Sequence, residues 1–388
     1  MPRYPRYGSI VSLLLLLSLT GCATRRDASG RRLVEEKDIP LGASNAISWN
    51  GSWVAGIKAG FQVLDIGMAS MRRLHLPGLD SLIALAGVPG GPAWALGKAG
   101  ERLKLLRGLG ASFEEQPLPE NLDLSRSEDQ SGWGWALLAE GDTLVVVDPD
   151  REEFHVLQEG AWRKLPFAVP GREWERIPTW SLHWSRMLMR GSMIYVGFDV
   201  GEWGGGLYTL SLETGEQKEV CPQAGAHDPI VGLAFARDGR LWFAEGMSHL
   251  GARRGRLWRV DAEGCTLVTS TQKKDQGETP WNLEPTSFEG LALDSRGEPH
   301  VLGWEVGVVH RQGQGWEVET LDWAAQTRDF SLATPRFITM FVPLSLALEG
   351  ETALIGTNQA GLLLWRLGTR ELRQAVVHAE APLGGKAR

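Results

Sequence analysis

The chain has 388 residues with a formal charge of −7, and it is rich in glycine (48), proline (20) and tryptophan (17) against only 4 tyrosines. The acidic balance gives no basic face for a phosphate backbone, which excludes a nucleic-acid binder. No long amphipathic period speaks for helices in the body, and the glycine and proline content predicts short strands joined by tight turns.

Residues 1–21 stand apart. Arg3 and Arg6 make a charged start, and Ile10–Leu19 is an apolar run too short to span a bilayer. It ends in Leu19-Thr20-Gly21-Cys22. This segment resembles the lipobox of bacterial lipoproteins, in which the signal is removed ahead of the cysteine and the thiol is acylated. The resemblance implies a signal peptide over 1–21, Cys22 as the lipidated residue and a membrane anchor. Ala23 stands where an aspartate would signal inner-membrane retention, so the resemblance also implies an outer-membrane lipoprotein of the envelope that faces the periplasm. Residues 22–44 are polar and charged and read as a tether between lipid and fold.

From residue 45 to 378 one phrase recurs. The first module pairs Ala46–Trp49 with Ser52–Ile57 through Asn50-Gly51, the strongest two-residue hairpin signal in the chain, and continues with Gly60–Asp65 and Arg72–Leu76. A second module covers about 82–118, a third 132–169 and a fourth 180–220. The fifth reads as strand, Arg237-Asp238-Gly239 turn, strand at Leu241–Ala244, a loop at Gly246–Gly255 and a strand at Arg256–Asp261. In that turn the glycine supplies the positive φ. The sixth, Phe288–Leu321, and the seventh, Leu344–His378, restate it, and residues 379–388 form a tail. Modules of 40–50 residues with four short strands each predict an all-β, seven-bladed β-propeller, with six or eight blades as the alternatives. Cys221 and Cys265 would meet an oxidising compartment. By strand order they fall on opposite faces of such a fold, so no bridge is expected.

The phrases LAFARDGRLWFAEG and LALDSRGEPHVLGWEVGVVHR resemble blades of the sensory propellers of bacterial two-component regulators. GRLWRVDAEG is similar to blades of gluconolactonase and strictosidine-synthase-like propellers. Both resemblances imply the propeller fold. The second also implies a metal-binding role for a glutamate at a blade entry, which Glu289 in SFEGLALD matches.

In a propeller, the loops between second and third strands share a face with the loops joining successive blades. Asp148, Asp199, Glu245 and Glu305 end second strands and so ring that face, while Trp180, His183, Asp228 and Trp281 lie in the blade-joining loops. Glu202 and Trp203 sit in the glycine-rich loop after Asp199, and His249 follows Glu245. Carboxylates held close together repel and attract a cation or hydrogen-bonding ligand, and tryptophan faces stack on cationic or carbohydrate-like groups. Trp242, Trp258, Trp316 and Trp365, inside strands, read as core. Asp148-x-Asp150-x-Glu152 has carboxylate spacing, but Pro149 and the missing glycine turn it from a calcium loop into a tight turn. No zinc motif, Gly-x-Ser-x-Gly or phosphate-cradling loop is present.

Together these features predict a lipid-anchored, non-catalytic module that binds a protein partner or small polar ligand at one propeller face. No resident cofactor is expected, with calcium or another divalent ion as the alternative. A metal-dependent lactonase- or esterase-like hydrolase using the channel carboxylates is one competing expectation, and a structural scaffold in an outer-membrane complex is another.

Overall fold

In a computed structural model, the described residues lie between Ala46 and His378. Residues 1–45 and 379–388, and internal stretches that include 123–134, 169–181, 223–227, 276–280 and 321–342, fall outside them. The lipobox and Cys22 are therefore outside the described residues. Among those that are described, no helix is long and apolar enough to cross a membrane.

The described strands form seven sheets in chain order. Sheet one comprises Ala46–Trp49, Ser52–Ile57, Gly60–Asp65 and Ser70–Leu74. Sheet two is Ser81–Gly87, Ala93–Ala99, Arg102–Leu109 and Ser112–Gln116, and sheet three Ala136–Glu140, Thr143–Asp148, Glu153–Gln158 and Ala161–Pro166. Sheet four is Ser185–Arg190, Met193–Asp199, Gly205–Ser211 and Gln217–Glu219. Sheet five is Ile230–Phe235, Leu241–His249, Ala252–Asp261 and Gly264–Ser270. Sheet six is Phe288–Leu293, Pro299–Gly303, Gly307–Gln312 and Gly315–Thr320, and sheet seven Pro343–Glu349, Thr352–Thr357, Leu362–Arg366 and Glu371–Gln374. Each is an antiparallel meander, and the first strands of neighbouring sheets from one through seven pack on one another. The first strands therefore face the axis.

Burial explains why the strands read as nearly continuous apolar runs. In Thr143–Asp148, Leu144 and Val146 pack towards sheet two, while Val145 and Val147 pack towards sheet four. All four are fully buried. A sheet sandwiched in this way buries both faces, and each such side chain contributes about 1.5–3 kcal/mol. Sheet six repeats the arrangement, with Val301 and Val309 towards sheet five and Leu302 and Val308 towards sheet seven. The ring closes through Leu354, Leu362 and Leu364 of sheet seven against Leu64, Ala69 and Ala375. Val376–His378 then leaves sheet seven and adds to Ser70–Leu74 as a parallel fifth strand of sheet one.

The expected turn at Arg237-Asp238-Gly239 is present, with Gly239 at φ +95° and the Asp238 carboxylate accepting from the Arg240 amide at 3.1 Å. Trp242, Trp258, Trp316 and Trp365 are buried within strands, as expected. Trp281 joins them: its ring packs on Phe288 and Trp316 at 5.5 and 5.9 Å, so it belongs to the core.

Two expectations are corrected. Gly246–Gly255 is not a loop but the upper part of a hairpin, paired from Gly246↔Gly255 to His249↔Ala252. Both glycines lie against Phe288 of sheet six, and any side chain at Gly246 would run into the Phe288 carbonyl. They are there for close approach between sheets and not for a turn. Cys221 and Cys265 are bridged, with Cα atoms 6.0 Å apart. Strand order alone places them at opposite ends, but the twist of successive sheets swings the outer edges across one another. Cys221, just past the last strand of sheet four, thereby meets the last strand of sheet five.

Candidate functional site

The recurring phrase carries a structural mark. In sheets two, five, six and seven the first strand skips one residue in its pairing with the second, at Leu82/Ala84, Ile230/Gly232, Phe288/Gly290 and Pro343/Ser345. The skipped residue of such a β-bulge is unpaired and its side chain is re-aimed. That residue is Ile83, Val231 or Leu344 in three of the sheets, and Glu289 in sheet six. A carboxylate therefore stands where the repeat otherwise places an aliphatic side chain.

Glu289 is half-buried, accepts a hydrogen bond from the Ser287 hydroxyl, and lies within electrostatic reach of Asp199 and Arg186. Arg186 is on the first strand of sheet four, paired with Gly197, and Asp199 ends the second strand of that sheet. Sheet five separates sheets four and six, so these charges reach one another around the axis, where the first strands converge. Burial pushes the Glu289 carboxyl up to about 7, opposed by the Ser287 hydrogen bond and reinforced by the Asp199 charge. Burial also raises Asp199, against the Arg186 charge and the Gly201 amide that donates to its Oδ1 at 3.4 Å. The group presents two carboxylates and one guanidinium, a surface able to hold a ligand with complementary polar or cationic atoms.

A second cluster occupies the joint between sheets four and five. Asp228, in the blade-joining loop, takes both Nε and Nη2 of Arg254 in a two-pronged pair. Arg256 reaches Asp275 at 2.6 Å, Asp228 at 3.3 Å and Glu245 at 3.8 Å. The Trp258 indole N–H donates to Glu245 at 2.8 Å. Glu245 is only 3 % exposed, and burial pushes it up to about 8, with the Trp258 hydrogen bond and the two arginines pulling the other way and Asp228 adding to the rise. Two arginines face two aspartates here, so a proton on Glu245 leaves the buried cluster neutral. Arg254 and Arg256 are its counter-charges. Asp199 lies close to this cluster along the chain path, because its partner Gly205 abuts the Asp228 carbonyl.

Asp148 is fully buried and committed to its turn. Its Oδ1 accepts from the amides of Asp150 and Arg151, both at 3.1 Å, and its Oδ2 pairs with the Arg151 guanidinium at 2.5 Å. Glu202, Trp203, Glu305, Trp180 and His183 lie outside the described residues, as does the side chain of His249, whose backbone pairs with Ala252 near the hairpin tip. Among the described residues, no group of three or more His, Cys, Asp or Glu could hold a metal ion. Arg186 is the member of the axial group that sequence reasoning missed. Its signal is a charged residue at the head of an inner, Met- and Leu-rich strand.

No protein-family model and no curated protein sequence matches the chain. Among solved structures, the extracellular domain of a hybrid two-component system from B. thetaiotaomicron is similar with a TM-score of 0.50 and 13% identity, over 84% of this chain and 38% of that one. The chain thus spans well under half the length of that domain. Streptogramin B lyase is similar with a TM-score of 0.53 and 14% identity, over 84% of this chain and 93% of the lyase. Identities this low speak for the fold alone. The body of the chain is a β-propeller similar to that found in two-component-system extracellular domains.

Proposed function

We propose that this chain is a lipid-anchored envelope protein whose seven-bladed propeller binds a protein partner or small polar ligand at one face and catalyses nothing itself. The observation that carries this reading is Glu289, a carboxylate on a bulge where the repeat has aliphatics, grouped with Asp199 and Arg186 around the axis. The Cys221–Cys265 bridge supports an oxidising compartment, in keeping with an envelope location. Glu202, Trp203, Trp180, His183 and Glu305 would form the rest of the rim.

The test uses the full chain carrying Cys22→Ser as a soluble bait, with and without Asp199→Asn and Glu289→Gln together. Native mass spectrometry should find a small ligand, or affinity capture a defined envelope protein, that the intact channel holds and the double variant releases. Equal retention by both baits would refute the axial site. A second reading, the metal-dependent hydrolase, draws on the Glu289 carboxyl at about 7, which suits a general base near neutral pH. Stoichiometric divalent metal in the purified protein, together with ester or lactone hydrolysis lost in Glu289→Gln, would favour the enzyme over the binding module.

The anchor has its own test. Cys22→Ser should move the protein from the membrane fraction to the soluble fraction, since acylation contributes about 0.8 kcal/mol per buried CH₂. Unchanged membrane fractionation would exclude lipidation at Cys22.

A further inference from the structure

The chain enters and leaves the propeller body at one end of it. Ala46–Trp49 runs away from the blade-joining end of sheet one, since Ala46 pairs with Ala55 and Trp49 with Ser52. Ser70–Leu74 runs back towards that end from Asp65↔Ser70, and Val376–His378 lies parallel to it. Asp199, which ends a second strand, and Glu289, near the start of a first strand, are at the blade-joining end as well. The tether read from residues 22–44 therefore joins the end that carries the axial group.

The two ends differ in charge. At the far end, Glu140, Asp142, Glu159, Glu213, Glu263 and Glu351 are exposed in the turns of sheets three, four, five and seven. Three cations there, Lys218, Arg240 and Arg296, are taken up by Glu216, Asp238 and Asp294. At the blade-joining end, Lys104 pairs with Glu115, Arg151 with Asp148, Lys164 with Glu153, and Arg256 with Asp275. The sequence continues this polarity: Arg25, Arg26, Arg31 and Arg32 all lie within ten positions of Cys22. Basic residues beside an anionic lipid surface contribute about 1 kcal/mol each.

We propose that the propeller rides on an anionic membrane surface with its blade-joining end towards the lipid and its acidic end away from it. This rests on the reading of Cys22 as the anchored residue. A flexible tether of this length has a root-mean-square span of about 25–30 Å. The strands alone separate the two ends by about 20 Å, more than two screening lengths of about 8 Å at physiological salt. Turning the body over would stretch the tether around it and press the exposed acids against like charge. The axial group thus faces the headgroup layer and meets a membrane-borne partner.

Site-specific quenching tests this with the lipidated full chain in vesicles of phosphatidylethanolamine and phosphatidylglycerol that carry a nitroxide on the headgroup. A fluorophore is placed at the blade-joining end on Glu101→Cys or Ser248→Cys, and at the far end on Asp142→Cys or Glu351→Cys. All four positions are exposed, so the labels leave the packing intact. The Glu101 and Ser248 labels should be quenched several-fold more than the Asp142 and Glu351 labels. The same labels on the Cys22→Ser chain give the unquenched reference. Vesicle-bound protein with equal quenching at the two ends, or with the order reversed, would overturn the orientation while leaving the anchor in place. Lipidated protein that does not bind the vesicles would instead refute the anchor, and the orientation with it.

Discussion

Replacing Cys221 and Cys265 with serine should lower the free energy of unfolding by about 4 kcal/mol, the chain-entropy estimate for a closed loop of this length. The bridged residues are 44 apart in sequence, and the loop they close includes the whole inner part of sheet five. The bridge ties the rims of sheets four and five, which otherwise meet through the cluster of Leu207, Ile230, Phe243 and Trp258. Without it the unfolded chain regains the freedom of that loop while the native packing stays the same. Denaturant midpoints of oxidised, reduced and doubly substituted protein measure the effect, and the last two should coincide. A loss below about 1 kcal/mol would mean that native strain cancels the entropic gain, a common outcome for cross-links that do not suit their site.

Glu245→Gln should abolish the alkaline loss of stability. The carboxyl titrates at about 8 in the native state against an ordinary 4.5. Between those values the folded protein keeps a proton that the unfolded chain has released, so wild-type stability declines as pH rises from 4.5 through 8 and is flat above. The upper bound on this decline is on the order of 5 kcal/mol. Glutamine keeps the shape and an oxygen for the Trp258 indole and removes the titration. The variant should therefore match wild type near pH 5 and melt well above it at pH 9. Parallel melting curves for the two proteins across pH 5–9 would show that Glu245 is ionised throughout. Charge reversal to lysine would put a third cation beside Arg254 and Arg256, and should cost about 3–5 kcal/mol through an uncompensated buried charge.

The local level of the fold was legible because it depends on neighbours in the chain. The first three strands of sheet one begin and end where alternation and the Asn50-Gly51 turn place them, and Gly239 takes the φ its turn demands. The strand tryptophans are core because an aromatic among alternating apolar residues has two covered faces to fill. Even Glu289 is visible as an oddity once Phe288-Glu289-Gly290 is laid over Ile230-Val231-Gly232. The bulge on which it sits appears only in the pairing register.

What only the tertiary structure decided has a common cause: it arises between sheets. Glycines 246 and 255 look like turn residues until Phe288 of the next sheet is seen against them. Cys221 and Cys265 look distant until sheet twist carries one rim over another. Arg254 and Arg256 look solvated until Asp228 and Asp275 close on them. Strand, turn and repeat were determined by the sequence itself, since hydrophobic alternation and turn stereochemistry act over a few residues. Which charges meet was decided by the curvature and twist of the closed ring, which bring residues 26–103 positions apart, such as Asp228 with Arg254 or Arg186 with Glu289, into one electrostatic neighbourhood.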